Sequence, residues 1–114
     1  MNKCHFLGKL ISNPELSSYH SADLVNFALE VEEYRKDKSG NKKRRTDILD
    51  FEAWDSAAKT IHKYASKNNL LAVEAIARNY NNGIVFHVKN KRGGSGTNNL
   101  SQFKIKETGE RLVD

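Results

Sequence analysis

The sequence predicts an all-β domain with one short helix. Three observations carry that reading. Apolar and polar residues alternate with a period of two through most of the chain, as half-buried strands require. Only residues 56–67 space their apolar side chains helically. With 114 residues, the chain has room for one core and one domain.

Residues 3–11 (KCHFLGKLI) are short and apolar, with Gly8 marking a bend or bulge, and Asn13-Pro14 then turns the chain. Residues 24–34 alternate cleanly. Val25, Phe27, Leu29 and Val31 take one face, and Asn26, Ala28, Glu30 and Glu32 the other. Residues 35–45 (RKDKSGNKKRR) centre on Ser39-Gly40-Asn41 and read as a long hairpin loop. In residues 47–54, Leu49, Phe51 and Ala53 form the core face. Parity therefore puts Trp54 on the outer face, beside Asp50 and Glu52. The helix of residues 56–67 aligns Ala57, Ala58, Ile61, Tyr64 and Ala65, with Asp55 or Ser56 placed to cap its start.

Residues 70–80 form the next strand, and Asn81-Asn82-Gly83 reads as a hairpin turn of the Asn-Gly kind. Residues 84–90 return, residues 91–99 (KRGGSGTNN) form a flexible loop, and residues 100–106 add a last strand. A helix between the third and fourth strands is the order of an OB-fold. The prediction is a five-stranded Greek-key barrel with extended β-hairpins. It occupies residues 1–107, and residues 108–114 are a short C-terminal extension.

The formal net charge is +5, and its distribution matters more than its size. Residues 35–45 alone hold seven basic residues against one aspartate, so the rest of the chain is close to neutral. A concentrated positive patch favours a polyanionic partner. One cysteine, Cys4, rules out an internal disulfide and points to a reducing, cytoplasmic location. No apolar run approaches the ~20 residues of a membrane span, so no membrane partner is expected.

Catalysis finds little support. His5, His20, His62 and His87 are scattered, and Cys4 and His5 point to opposite faces of one strand. Gly93-Gly94-Ser95-Gly96 lacks the lysine and helix of a phosphate-binding loop. No catalytic residue, metal or cofactor is assigned.

The motifs then become specific. Asn2-Lys3, Gly8-Lys9-Leu10 and Asn13-Pro14-Glu15-Leu16 open the chain. Val25-Asn26-Phe27-Ala28-Leu29, Phe51-Glu52-Ala53-Trp54, Leu71-Ala72-Val73-Glu74 and Arg78-Asn79-Tyr80 follow in order. Over residues 2–90, and more loosely 100–107, this succession resembles the bacterial and phage single-stranded DNA-binding protein family. The resemblance implies sequence-nonspecific binding and protection of single-stranded DNA in replication, recombination or repair. It implies base stacking on Tyr34, Trp54 and Tyr80, at the ends of the second, third and fourth expected strands. It also implies a homotetramer or homodimer.

Phosphate contacts are assigned to Lys3, Lys9, Arg35, Lys36, Lys43, Arg44, Arg45, Arg78, Lys91 and Arg92. The chain departs from the family at Ile48, where many members carry an aromatic, and at Ala75, where many carry glycine. It stops at Leu112-Val113-Asp114, without the acidic, Phe-terminated tail of cellular members, so partners recruited through that tail are not expected. Two alternatives of the same fold stay open, a primosomal protein-interaction module and an RNA-binding domain.

Overall fold

The computed structural model describes residues 1–89 in full and residues 103–106 as a backbone strand. Seven strands and one helix follow in the order β1 (Cys4–Leu10), β2 (Ser17–Tyr19), β3 (Ala22–Lys36), β4 (Lys42–Trp54), α1 (Asp55–Tyr64), β5 (Leu70–Tyr80), β6 (Gly83–Val88) and β7 (Phe103–Lys106). Neighbouring strands run β1-β3-β4-β6-β5, and β1 pairs again with β5, which closes a five-stranded barrel. β4 and β6 are parallel, with Phe51 beside Phe86 and Glu52 beside His87. That pairing is geometrically available because α1 and β5 carry the chain back between the two strands. This closed barrel with its helix between β4 and β5 is the OB-fold arrangement that the sequence predicts.

Alternation is the reason the barrel has an inside. Val25, Phe27 and Leu29 of β3, Phe51 and Ala53 of β4, and Leu71, Val73 and Ala75 of β5 are all buried. Phe51 lies at the centre, stacked on Phe27 at 5.2 Å and edge-on to Phe6 at 5.3 Å. α1 adds Ala57, Ala58 and Ile61 to the same core. Small alanines let the helix approach the barrel closely, and Ile61 fills the remaining space.

β1 closes the barrel because of Gly8. A Cβ there would meet Leu29 Cβ at 2.9 Å, the Glu30 carbonyl oxygen at 3.0 Å and Val31 Cγ2 at 3.0 Å. With no side chain, β1 passes against β3 and is held by β5 from Cys4–Ala75 to Lys9–Leu70. Beyond it, Asn13 Oδ1 accepts the Lys67 N–H at 2.8 Å, and His62 Nδ1 lies 3.1 Å from the Pro14 carbonyl oxygen. The segment between β1 and β2 is thereby tied to the end of α1.

Four details differ from the sequence expectation. The basic stretch 35–45 is mostly strand: β3 and β4 pair out to Lys36–Lys42, and only residues 37–41 form the loop. Asp37, the lone acid in that run, organises the turn by accepting the Ser39 N–H at 2.9 Å and the Asn41 N–H at 2.8 Å. Hydrophobic alternation ends near Val31, so the pattern alone gave no sign that the ladder continues.

A second difference is β2, which the sequence reading lacks. It joins β3 through a two-residue turn in which His20 and Ser21 both have positive φ, 48° and 67°. Such turns favour Asn and Gly, so His-Ser carries no recognisable signal. The other hairpin turn is shifted by one residue. Asn81 and Asn82 hold the positive φ values, and Gly83 begins β6 paired with Tyr80. Lastly, α1 ends at Tyr64, and its capping position falls on Trp54, without a side-chain cap hydrogen bond, rather than on Asp55 or Ser56.

Two stability outcomes follow from these backbone constraints. Gly8→Ala forces a collision with the β3 backbone and is expected to cost about 1–3 kcal/mol, read as a lower urea midpoint. Ser21→Gly relieves a left-handed residue and is expected to raise stability by about 0.5–1 kcal/mol in the same titration.

Candidate nucleic-acid interface

The register of β3 with β4 decides what the outer face displays. Leu24 lies opposite Trp54, Asn26 opposite Glu52, Ala28 opposite Asp50, Glu30 opposite Ile48, and Tyr34 opposite Arg44. All of these belong to the outward set, so the sheet offers one continuous exterior track. Trp54 and Tyr34 stand near its two ends, ten ladder positions apart. At ~3.3 Å per residue that is about 33 Å along the strands. The aromatics therefore form no single pocket and suit an extended ligand.

Trp54 is half-buried, and its ring meets Tyr19 edge-on, with centroids 6.0 Å apart and planes at 73°. Tyr19 is an exposed aromatic that sequence reasoning missed, because only the β2–β3 hairpin brings it to Trp54. Tyr34 is 52% exposed, so its ring remains accessible although Lys42 Nζ sits 4.5 Å from its centroid. Its hydroxyl donates to Glu32 Oε2 at 3.0 Å, which holds the ring against the strand. Tyr80 is 60% exposed at the end of β5 and lines a cleft of about 560 Å³. The same cleft is lined by Asn26, Ala28 and Asp50 of the track, and by Ile84 and Val85 of β6. Ile48, also exposed, occupies the track between Asp50 and Tyr34.

The cations divide into free and engaged groups. β3 and β4 extend past the barrel as a two-stranded arm whose residues beyond Val31 are mostly exposed. On the arm, Arg44 pairs with Glu32 at 3.4 Å and Arg45 with Asp47 at 3.2 Å. Arg35, Lys36 and Lys43 make no ion pair among the described residues and are exposed. Parity splits the arm's charges: Lys36, Lys42 and Arg44 share the face of Tyr34, while Arg35, Lys43 and Arg45 take the other. Lys9 lines a second groove with Glu30, Glu32 and Tyr34. Arg78 is exposed on β5, paired in register with Val85. Lys91 and Arg92 lie outside the described residues.

Lys3 is not a free cation. Its Nζ lies 3.5 Å from Glu74, which also has Lys89 at 3.5 Å and His5 at 3.7 Å. Desolvation raises the Glu74 pKa. The charges of Lys3 and Lys89, a hydrogen bond from Lys89 and the charge of His5 outweigh it and hold the carboxyl below the usual carboxylate range. The two outward acids of β4 behave differently from each other. Glu52 Oε2 lies 2.6 Å from His87 Nδ1, with both side chains largely buried. Asp50 is exposed and makes no ion pair or side-chain hydrogen bond among the described residues. No three His, Cys, Asp or Glu side chains among the described residues converge as a metal site requires. No helix among them is long and apolar enough to cross a membrane.

Residues 1–83 match the single-strand binding protein family. The chain belongs to that family. Its fold is also that of several solved structures. The SSB of Plasmodium falciparum in complex with ssDNA aligns with a TM-score of 0.68 at 16% identity, covering 93% of each chain. A deletion mutant of the single-stranded DNA binding protein from Thermus aquaticus aligns with a TM-score of 0.69 at 14% identity, over 78% of this chain. This chain spans about half (48%) of that one. The protein priB from Ralstonia solanacearum aligns with a TM-score of 0.64 at 11% identity, over 79% of this chain and 94% of that one. No curated protein sequence matches the chain.

The Glu74 cluster sets a pH dependence with a definite sign. A carboxyl held low contributes stability that is present above the ordinary carboxylate range and lost as pH falls through its folded value. Glu74→Gln is therefore expected to melt below the parent chain at pH 7, and the two melting temperatures should converge below about pH 4.

Proposed function

We propose that this chain binds and covers single-stranded DNA, largely independent of sequence, in replication, recombination or repair. The observation that carries this reading is the outer track of β3 and β4, with accessible aromatics at intervals and a cationic arm beyond it. Unpaired bases expose their π faces, and stacking on Trp54, Tyr34 and Tyr80 contributes about 1–3 kcal/mol per base whatever its identity. Duplex DNA hides those faces, so the same track discriminates against it. Tyr19 braces the Trp54 ring edge-on and narrows its range of orientations.

The backbone contribution comes from Lys9, Arg35, Lys36, Lys43 and Arg78, which are free of carboxylate partners among the described residues. Arg44 and Arg45 contribute less at the outset, because each must leave an acid to meet a phosphate. The arm is already a paired hairpin, so little ordering entropy opposes binding there. The chemistry is binding alone, with no bond made or broken. We also propose self-association as a dimer or tetramer. Leu7, exposed on β1, is the kind of apolar strand residue that a second copy would cover.

Titration of the single Trp54 with oligo-dT tests the reading. Quenching by oligo-dT, absent with duplex and weakened by salt, is the expected result. Tyr80→Ala should weaken oligo-dT binding about 5- to 100-fold. Lys43→Ala should flatten the log-log salt dependence by about 0.7. Absence of quenching and of binding would move the chain to a protein-interaction role.

A further inference from the structure

Asp50 poses a problem for a phosphate-binding track. It is exposed on the outer face, four residues before Trp54, and among the described residues nothing neutralises it. Its neighbour Glu52 is satisfied by His87 at 2.6 Å, so the two acids are not equivalent. A bare carboxylate beside a bound strand repels phosphate, unless what approaches it is a hydrogen-bond donor.

The surroundings of Asp50 are those of a base subsite. Ala28 lies directly across the ladder on β3. Val85 is buried on β6 and, with Ala28, contributes apolar surface to the cleft of about 560 Å³. Tyr80 and Ile84, 60% and 59% exposed, offer a flat aromatic and an aliphatic wall. Asn26 sits diagonally from Asp50, opposite Glu52, and its amide has no side-chain partner among the described residues. Ser12 and Asn81 also line the cleft, and Asp50 is the one charged group in its lining, so the space fits one unstacked nucleobase presented edge-on to that carboxylate and the Asn26 amide beside it.

The polar groups also select which base. A carboxylate only accepts, and an amide both donates and accepts. Cytosine presents an amino donor next to a ring-nitrogen acceptor, which matches Asp50 beside Asn26. Adenine and guanine also present an amino donor. Thymine and uracil present one N–H flanked by two carbonyl oxygens, and a carboxylate repels both oxygens. Carboxylates recognise the cytosine amine on this same basis elsewhere.

We propose that the cleft between Asp50, Asn26 and Tyr80 is a base-reading subsite that prefers an amino-bearing nucleobase, cytosine over uracil or thymine. The subsite rests on the single-strand-binding reading and gives an otherwise indifferent track one position with chemical preference. Arg78, in register with Val85, is the cation nearest along β5 for the phosphate of that nucleotide.

Oligo-dC and oligo-dU of equal length are compared, because both are pyrimidines without a methyl group, and stacking and backbone are closely matched. The full chain and Asp50→Asn are titrated with each by fluorescence anisotropy. The expected result is about fivefold tighter binding of oligo-dC by the full chain, at the low end for a base contact. Asp50→Asn should bring that ratio close to one, since an amide can serve either base. Equal binding of both oligomers by the full chain, or a preference that survives Asp50→Asn, overturns the subsite and leaves single-strand binding intact. Failure of the full chain to bind either oligomer overturns the subsite together with the proposed function.

Discussion

The β3–β4 ladder is the constraint on which the rest of this structure depends. Thirteen residue pairs run in unbroken register from Leu24–Trp54 to Lys36–Lys42. Side chains alternate with a period of two, so a slip of one residue would exchange the entire inner and outer sets. Phe27 and Phe51 would leave the core, while Asn26, Asp50 and Trp54 would enter it. The buried aromatic contacts among Phe6, Phe27, Phe51 and Phe86 hold that register against slippage. The same contacts that stabilise the barrel thus hold the exterior track in position.

Beyond the barrel the ladder has no core to rest on, and different forces keep it paired. Glu32 with Arg44 and Asp47 with Arg45 offset part of the repulsion within the basic arm. Lys42 over the Tyr34 ring does the same by a cation–π contact worth about 0.5–1 kcal/mol. Asp37 closes the turn through two backbone N–H groups. Acids in this arm serve folding, which explains why a strongly cationic segment contains them. The consequence for binding is that some cations are held in reserve and some are immediately available.

Left-handed backbone among the described non-glycine residues falls in two hairpin turns, at Asp55 where α1 begins and at Asn68 ahead of β5. His20, Ser21, Asn81 and Asn82 all adopt left-handed backbone, and each turn sets an aromatic in place. The first turn brings Tyr19 to Trp54, and the second ends β5 at Tyr80 beside the cleft. Short, rigid turns deliver ring positions that a longer loop would blur. The acids on the track acquire distinct roles from the strands that close around them, Glu52 from its parallel neighbour His87 and Asp50 by facing the cleft.

Much of this was legible in the sequence. Alternation in residues 24–34 and 47–54 identified both strands and the outward direction of Trp54, because periodicity depends only on nearest-neighbour geometry. Strand β5 was readable to the residue, Leu70–Tyr80, since its apolar alternation is bounded by Asn pairs on both sides. The length of the basic arm was not readable, because charged strands carry no hydrophobic period and their pairing depends on cross-strand partners. Nor was β2, whose His-Ser turn lacks the residues that announce a hairpin. The Tyr19–Trp54 contact, the pairing of Glu52 with His87, and the cleft joining Asp50 to Tyr80 depended on tertiary structure alone. Each joins residues 30 or more positions apart, and only closure of the barrel decides which distant strands become neighbours.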